Sequence, residues 1–379
     1  MRETHLTTSE IDDFFGQDVA ALTDELCQLE QHIAPDAAPQ KGHHLDRLTD
    51  AITRTLMACS KLETAIKEDD VLLKEVQTKF RQVIGPWFAQ SWFMERALSK
   101  PRGYPGDYVL LSAIYDNVPK SRGLGGLLDL YFLDQSLAHG VRTRLSGVRR
   151  FLTREVLTRQ SAVSILNVAC GPAREYHEGF ACEGRDVHLT CIDMDQQALE
   201  FVETNIATQP DVELDIECVC YNALRMASSR STISRFGRPD VIYSVGLCDY
   251  LPDDYMIRLL RGWRESAGDG GVVYVAFKDC RLYNKAVYQW LTDWYFYERT
   301  EQDCRRLYEQ AGYDPDSVEV QRDGDGVIMN FIARMEVPVL LPPRRGRVDE
   351  AKAALAARGP SPPPAWSRGG PRKLHQGDA

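Results

Sequence analysis

The stretch ILNVACGPAREY, Ile165 to Tyr176, decides the fold. Ile165 to Val168 is an apolar run of strand length, and Ala169-Cys170-Gly171-Pro172-Ala173 is a turn of small residues leading into a predicted helix. A first strand-to-helix turn of this kind is where an α/β sheet holds a nucleotide-like ligand. Small residues let the ligand approach the backbone, and free N–H groups at a helix start favour its carboxylate or phosphate. The dinucleotide fingerprint asks for three glycines, whereas this turn has only Gly171, and Pro172 removes a backbone donor. A nicotinamide-dependent oxidoreductase is therefore disfavoured.

Working outward, the apolar runs VSILNVA, VHLTCID, DIECVCY, DVIYSVG and GVVYVAF alternate with helix-like segments such as DQQALEFVETNI and DDYMIRLLRGWRESA. Continuous apolar strands separated by helices predict a parallel sheet covered on both faces. SVEVQR and VIMNFIARM add two further strands and close the region at Met335. Residues 1–160 read instead as helices, with apolar residues at three- and four-residue spacing in VAALTDELCQLEQHI, LDRLTDAITRTLMACSKLETAI and VLLKEVQTKFRQVI. Pro86 should break or kink the third of these, and Gly140 marks a break or weak point in the long pattern that precedes Ser161. Residues 336–379 are rich in Pro, Gly, Ala and Arg and read as a disordered basic tail. The expected organisation is thus a helical domain over 1–160, an α/β domain over 161–335 and a tail over 336–379.

Composition narrows the function. The chain has 379 residues, 44% hydrophobic and 26% charged, the balance of a globular protein with room for two domains. Its formal net charge of −10 argues against nucleic acid as a partner, although the tail from Arg344 carries eight Lys or Arg against three Asp or Glu. The ten cysteines include no CxxC pair and no ligand-spaced histidines, so buried free thiols are expected and no metal. No apolar run has the length of a signal peptide or a membrane span, which predicts a soluble, cytoplasmic protein. Nothing in the sequence sets the oligomeric state.

With these elements placed, ILNVACGPAREY resembles motif I of class I S-adenosylmethionine-dependent methyltransferases, a strand ending L-D-V-G-C-G-x-G. Asn167 stands at the acidic position, Ala169 and Ala173 at the outer glycines, and Gly171 at the central one. LTCIDMD ends the second strand with Asp193, whose position matches the acidic acceptor of ribose hydroxyls. CYNAL places Asn222 where these enzymes meet the adenine amino group, and DVIYSVGLCDYLPDD resembles the strand end beneath the sulfonium. The resemblance implies a Rossmann-like, seven-stranded and mostly parallel α/β methyltransferase domain. It also implies S-adenosylmethionine as methyl donor, held by Asn167, Ala169, Cys170, Gly171, Pro172, Arg174, Asp193, Met194, Tyr221, Asn222, Ala223, Ser244, Val245 and Gly246.

RGYPGDY, Arg102 to Tyr108, ahead of these motifs is similar to the bacterial family named for extracellular-factor biosynthesis. In that family the carboxyl group of 3-hydroxypalmitic acid is methyl-esterified, and the resemblance spans Phe88 to Met335. It implies that the loop closes over the strand ends, with Tyr104 and Tyr108 facing the sulfonium or acceptor and Asp107 orienting the acceptor or neutralising Arg102; the alternative reading is an internally salt-bridged connector between helices. A carboxylate acceptor needs no base, whereas a hydroxyl or ammonium would draw on Asp107 or Asp249. The catalytic candidates are therefore Tyr104, Asp107 and Asp249. Cys248 stands where a bulkier residue is expected and bears on the substrate pocket. His177 and His188 read as helix or surface residues. Two other readings stay open: methylation of a secondary-metabolite hydroxyl or amine, and a non-catalytic S-adenosylmethionine sensor.

Overall fold

The apolar runs become strands of one seven-stranded sheet. They are β1 (Val163–Val168), β2 (Val187–Asp193), β3 (Asp215–Cys220), β4 (Val241–Ser244), β5 (Val272–Lys278), β6 (Val318–Arg322) and β7 (Ile328–Arg334). The structure is a computed structural model and describes residues 8–66, 69–177, 180–206 and 214–336. The tail expected over 336–379 falls almost wholly outside the described residues. The spatial order is β3-β2-β1-β4-β5-β7-β6, with β1 to β5 mutually parallel and β7 antiparallel to both β5 and β6. This is the mostly parallel, seven-stranded Rossmann-like sheet expected from the sequence. Its topological switch lies between β1 and β4, so the crevice for a ligand opens at their carboxyl ends.

β4 and β5 are buried along their whole length, as expected of strands covered on both faces. Alternate residues supply the two cores. Leu166 and Val168 join Trp263, Phe277 and Phe331 on one face, while Ile165 joins Phe151, Leu189 and Tyr274 on the other. The covering helices are drawn from a chain of thirteen. Before the sheet run α1 (Thr8–Asp13), α2 (Ala20–His32), α3 (His43–Ile66), α4 (Asp70–Phe88), α5 (Trp92–Ser99), α6 (Tyr108–Asp116), α7 (Gly123–Leu133) and α8 (Ser136–Thr158). Within and after it come α9 (Gln196–Ile206), α10 (Ser229–Phe236), α11 (Asp253–Ser266), α12 (Lys285–Thr292) and α13 (Glu301–Gln310).

Residues 1–336 form one compact unit. The reason is visible in α12, which lies in the α/β part of the sequence yet buries its apolar face among the early helices. Trp290 is fully buried, with its ring edge-on to Phe14 and Phe80 at 5.8 and 5.6 Å, and its indole N–H donates to Glu63 at 3.2 Å. No helix of the described residues is long and apolar enough to cross a membrane.

Three local expectations change. α4 runs through Pro86 and stops at Phe88, because a proline in a last turn costs a helix only one late hydrogen bond. Gly140 lies inside α8, and the break falls at Asp134-Gln135 instead. A Cβ at Gly140 would sit 3.1 Å from Ile328, so the glycine lets β7 pack closely. Third, the turn after β1 opens no α-helix: among the described residues only a 3-10 turn, Arg174–Tyr176, follows it. Ala173 takes a left-handed conformation (φ +43°) and turns the chain away from a helical path.

Candidate active site

The turn after β1 keeps the backbone shape of a glycine-rich loop even where alanine replaces glycine. Ala169, Gly171 and Ala173 all have positive φ, at +55°, +53° and +43°. For an L-residue this region costs about 1–2 kcal/mol, so neighbouring contacts must impose it at the two alanines. The main clamp is Asp193 at the end of β2. One carboxylate oxygen accepts the Gly171 N–H at 3.0 Å and the other accepts the Asp195 N–H at 2.9 Å. Burial pushes the Asp193 carboxyl above its usual range. A Cβ at Gly171 would meet only Leu111, at 3.7 Å, so the outer side of the turn faces open space.

That space is a cleft of about 990 Å³ over the carboxyl ends of the strands. Of the predicted cofactor residues, Ala169, Gly171, Asp193, Met194, Tyr221, Asn222, Ala223 and Gly246 line it. The Asn222 side-chain oxygen also accepts the Leu224 N–H at 2.9 Å, which fixes the 3-10 turn beneath it. The other predicted residues act one layer back. Asn167 donates to Glu175 at 3.2 Å within the sheet, and Ser244 donates to the Val168 carbonyl at 2.9 Å. Cys170 is buried in the core, Pro172 is buried beside it, and Arg174 pairs with Asp116 at 3.3 Å. The Val245 carbonyl accepts from Arg144.

The RGYPGDY loop forms one wall of the cleft. Arg102, Tyr104, Gly106 and Tyr108 line it together with Pro101. Arg102 forms a two-pronged ion pair with Asp195, donates to Gln197 at 2.8 Å and lies over the Tyr108 ring at 5.1 Å. That pairing holds the Asp195 carboxyl below the usual carboxylate range. Gly106 has φ +74°, and a Cβ there would lie 2.6 Å from Trp294 and 3.2 Å from the Tyr250 hydroxyl. Only glycine fits the bend.

Two of the three catalytic candidates are placed differently from the sequence reading. Asp107 does not line the cleft. It is buried, caps α6 by accepting the Leu110 N–H at 2.9 Å, and holds Arg96 through bonds of 3.0 and 2.8 Å. Arg102, its suggested partner, goes to Asp195. Asp249 is likewise buried, paired with Lys278 and accepting that residue's backbone N–H at 3.2 Å. Both carboxylates are thus occupied by a cation and a backbone N–H, and neither lines the cleft. Cys248 packs in the core beneath the sheet end, where burial pushes its thiol up to about 12, and it touches no pocket. Tyr104 remains on the cleft wall, half-exposed, with its phenol raised by burial. His177 lies buried in the turn after β1 and His188 faces Asp215 at the surface.

Residues that sequence reasoning missed lie deeper. Behind Gly106, Leu111, Gly246 and Tyr250 the cleft leads to a chamber of about 40 Å³, walled by Phe132, Val141, Trp294 and Phe296 among others, with Arg144 and Lys278 as its charged members. The Lys278 ammonium lies over the rings of Phe296 and Tyr250 at 4.3 and 5.7 Å, and burial lowers its pKa. Arg144 carried a sequence signal. It occupies a helical position in line with Val141, Val148 and Leu152, on a buried stripe that is apolar but for it and Glu155.

No family model and no curated protein sequence matches the chain. Solved structures do. The crystal structure of a possible exported protein from Bordetella parapertussis is 16% identical, covers 88% of this chain and 100% of that one, and has a TM-score of 0.51. The apo S-adenosylmethionine-dependent methyltransferase SibL is 16% identical over 87% of this chain and 99% of its own, with a TM-score of 0.42. Magnesium protoporphyrin IX methyltransferase from Synechocystis, with bound S-adenosylmethionine, is 9% identical over 53% of this chain and 84% of its own, with a TM-score of 0.37. At these identities the likeness is one of fold.

Proposed function

We propose that this protein is an S-adenosylmethionine-dependent methyltransferase whose acceptor is a small molecule. The observation that carries this reading is Asp193. Its carboxylate has about four acceptor positions, and two are used by backbone N–H groups, which leaves two for the hydroxyls of a ribose. The residues around it fit the rest of the cofactor. Tyr221, Asn222 and Ala223 offer an adenine-sized wall, and the left-handed turn from Ala169 to Ala173 leaves room for the methionine part beside Gly171. A cleft near 990 Å³ lies at the upper end of the size of small-molecule sites, enough for cofactor and acceptor together.

S-adenosylmethionine supplies a methyl group on a positively charged sulfur. The chain's own part is to bring an acceptor atom into line with that methyl and to keep water out. Gly106 and Tyr250, shared by cleft and chamber, mark where the two ligands meet. Tyr104 faces the same space and offers an aromatic face to a cation. Asp107, Asp195 and Asp249 are each committed to an arginine or lysine. An acceptor that is already ionised needs no base from the site. We therefore place the carboxylate of a 3-hydroxy fatty acid first among acceptors, with a methyl ester as product.

Incubation with methyl-labelled S-adenosylmethionine and a panel of 3-hydroxy fatty acids, phenols and amines tests this. Label is expected in a base-labile methyl ester. Label confined to a phenol or an amine would replace the acceptor, and cofactor binding without transfer to any of them would leave a sensor.

A further inference from the structure

Among the described residues three cations are fully buried: Arg144, Lys278 and Arg299. Arg299 pairs with Asp253 at 2.7 Å, and Lys278 pairs with Asp249. Arg144, 4% exposed, pairs with no carboxylate among the described residues; its neighbour Tyr115 is a hydrogen-bonding phenol that carries no counter-charge. One arm of its guanidinium donates to the Val245 carbonyl. Glu175 is the acid its charge reaches, but that carboxylate is turned to Tyr243 at 2.5 Å and Asn167 at 3.2 Å, and burial pushes its pKa up. Burying a charge without a counter-charge is costly, and such a cation is retained where a ligand supplies the anion.

The chamber that Arg144 faces has the right size for that anion. Its volume of about 40 Å³ corresponds to roughly three water-sized groups. A carboxylate has three heavy atoms. With Lys278 offset by Asp249, Arg144 is left as the excess charge in an apolar wall of Phe132, Val141, Trp294 and Phe296. An arginine fork matches a planar carboxylate through two parallel bonds, whereas an amine or a phenol gains nothing from it.

The geometry assigns Arg144 as the residue that binds a ligand carboxylate in the inner chamber and so selects acidic acceptors. The assignment deepens the methyl-transfer reading and rests on it for the identity of the acid. Arg144 lines the chamber and not the outer cleft, which favours the acceptor's carboxylate over that of the cofactor's amino-acid end.

The test is calorimetry on the full chain, comparing wild type with Arg144→Gln and Arg144→Lys. Four probes are used: decanoate, uncharged decanol, S-adenosylhomocysteine, and methylthioadenosine, which lacks the carboxylate. Decanoate affinity is expected to fall about tenfold or more in Arg144→Gln, the loss of one charged hydrogen-bonding partner, and to recover in part in Arg144→Lys. Decanol and both nucleosides should be unchanged. If S-adenosylhomocysteine weakens instead, with methylthioadenosine unchanged, the subsite stands and its carboxylate is the cofactor's. If no carboxylate probe depends on Arg144, or if decanol and methylthioadenosine weaken equally, the assignment is overturned and Arg144 merely braces Val245. Wild type that binds decanoate through Arg144 but neither nucleoside would keep the subsite and remove the methyltransferase reading.

Discussion

Replacing Asp193 by Asn separates cofactor binding from folding more cleanly than a truncation does. The carboxylate holds two backbone N–H groups, at 3.0 and 2.9 Å, and Asn has one oxygen to offer them. One of those bonds is lost, at about 0.5–1.5 kcal/mol. Against that, the wild-type carboxylate is buried and its pKa is raised, so the ionised form is disfavoured by desolvation that Asn does not suffer. The two effects oppose each other, and the net change should be within about 1 kcal/mol, or roughly 1–2 °C in melting temperature for a unit of this size. Binding has no such offset. Loss of a charged acceptor facing ribose hydroxyls should weaken S-adenosylhomocysteine by about 1.5–3 kcal/mol, about ten- to a hundredfold in Kd. The pH dependence follows in sign. A raised carboxyl pKa contributes stability that is present at low pH and lost as pH rises through it, while the ligand prefers the ionised form. Affinity in the wild type should therefore fall on acidification, starting above the usual carboxylate range, and this component should vanish in Asp193→Asn. Calorimetry over a pH series with melting curves on the same samples measures all three quantities. Unchanged affinity, or a collapse in melting temperature, would refute the reasoning.

Tyr104→Phe and Asp107→Asn, both in the same loop, should behave differently. The first should lower turnover about tenfold at an unchanged melting temperature, and the second should lower stability by about 2–3 kcal/mol because Arg96 loses its buried partner. Paired activity and melting measurements check both, and the reverse pattern would return Asp107 to the site. Arg102→Gln should speed release of S-adenosylhomocysteine severalfold in stopped flow while moving the melting temperature by only about a degree or two, since this pair is partly open to solvent. Equal release rates would show that the loop does not gate the cleft. Trp290→Ala should cost about 3–5 kcal/mol in denaturant unfolding through the cavity it leaves between α12 and the early helices.

The sheet was legible because its strands are apolar throughout, and a run such as VVYVAF has few other uses in a globular chain. The places of Asp193 and Gly171 on the cleft were legible because each follows the carboxyl end of a strand. The structural places of Asp107 and Asp249 were not. An aspartate in DYL or GDY looks the same in sequence whether it faces a ligand or a lysine, and the partners here lie far along the chain: Lys278 for Asp249, and Arg96 across the loop for Asp107. The helix expected after ACGPA failed for a backbone reason, since a left-handed Ala173 is invisible in composition. Arg144 could have been found by asking why an arginine interrupts an apolar stripe.

The loop RGYPGDY shows how the pieces combine. Its two ends are fastened to the body: Lys100 donates to Asp293 at 2.7 Å, and Asp107 holds Arg96 in a pair that is closed to water on the aspartate side. The Arg96–Asp107 pair is costly to break because its aspartate is buried, whereas Lys100–Asp293, the most open of the loop's three pairs, contributes about 1 kcal/mol or less. The middle of the loop is tied mainly by Arg102 to Asp195, two residues beyond Asp193. Gly103 and Gly106, both at positive φ, flank Tyr104 and give the chain its only permissive joints there. Opening at Arg102 would swing Tyr104 and leave Asp107 and α6 in place. The loop is thus a wall anchored at Asp107, with Arg102 and Tyr104 on the cleft that also holds Asp193.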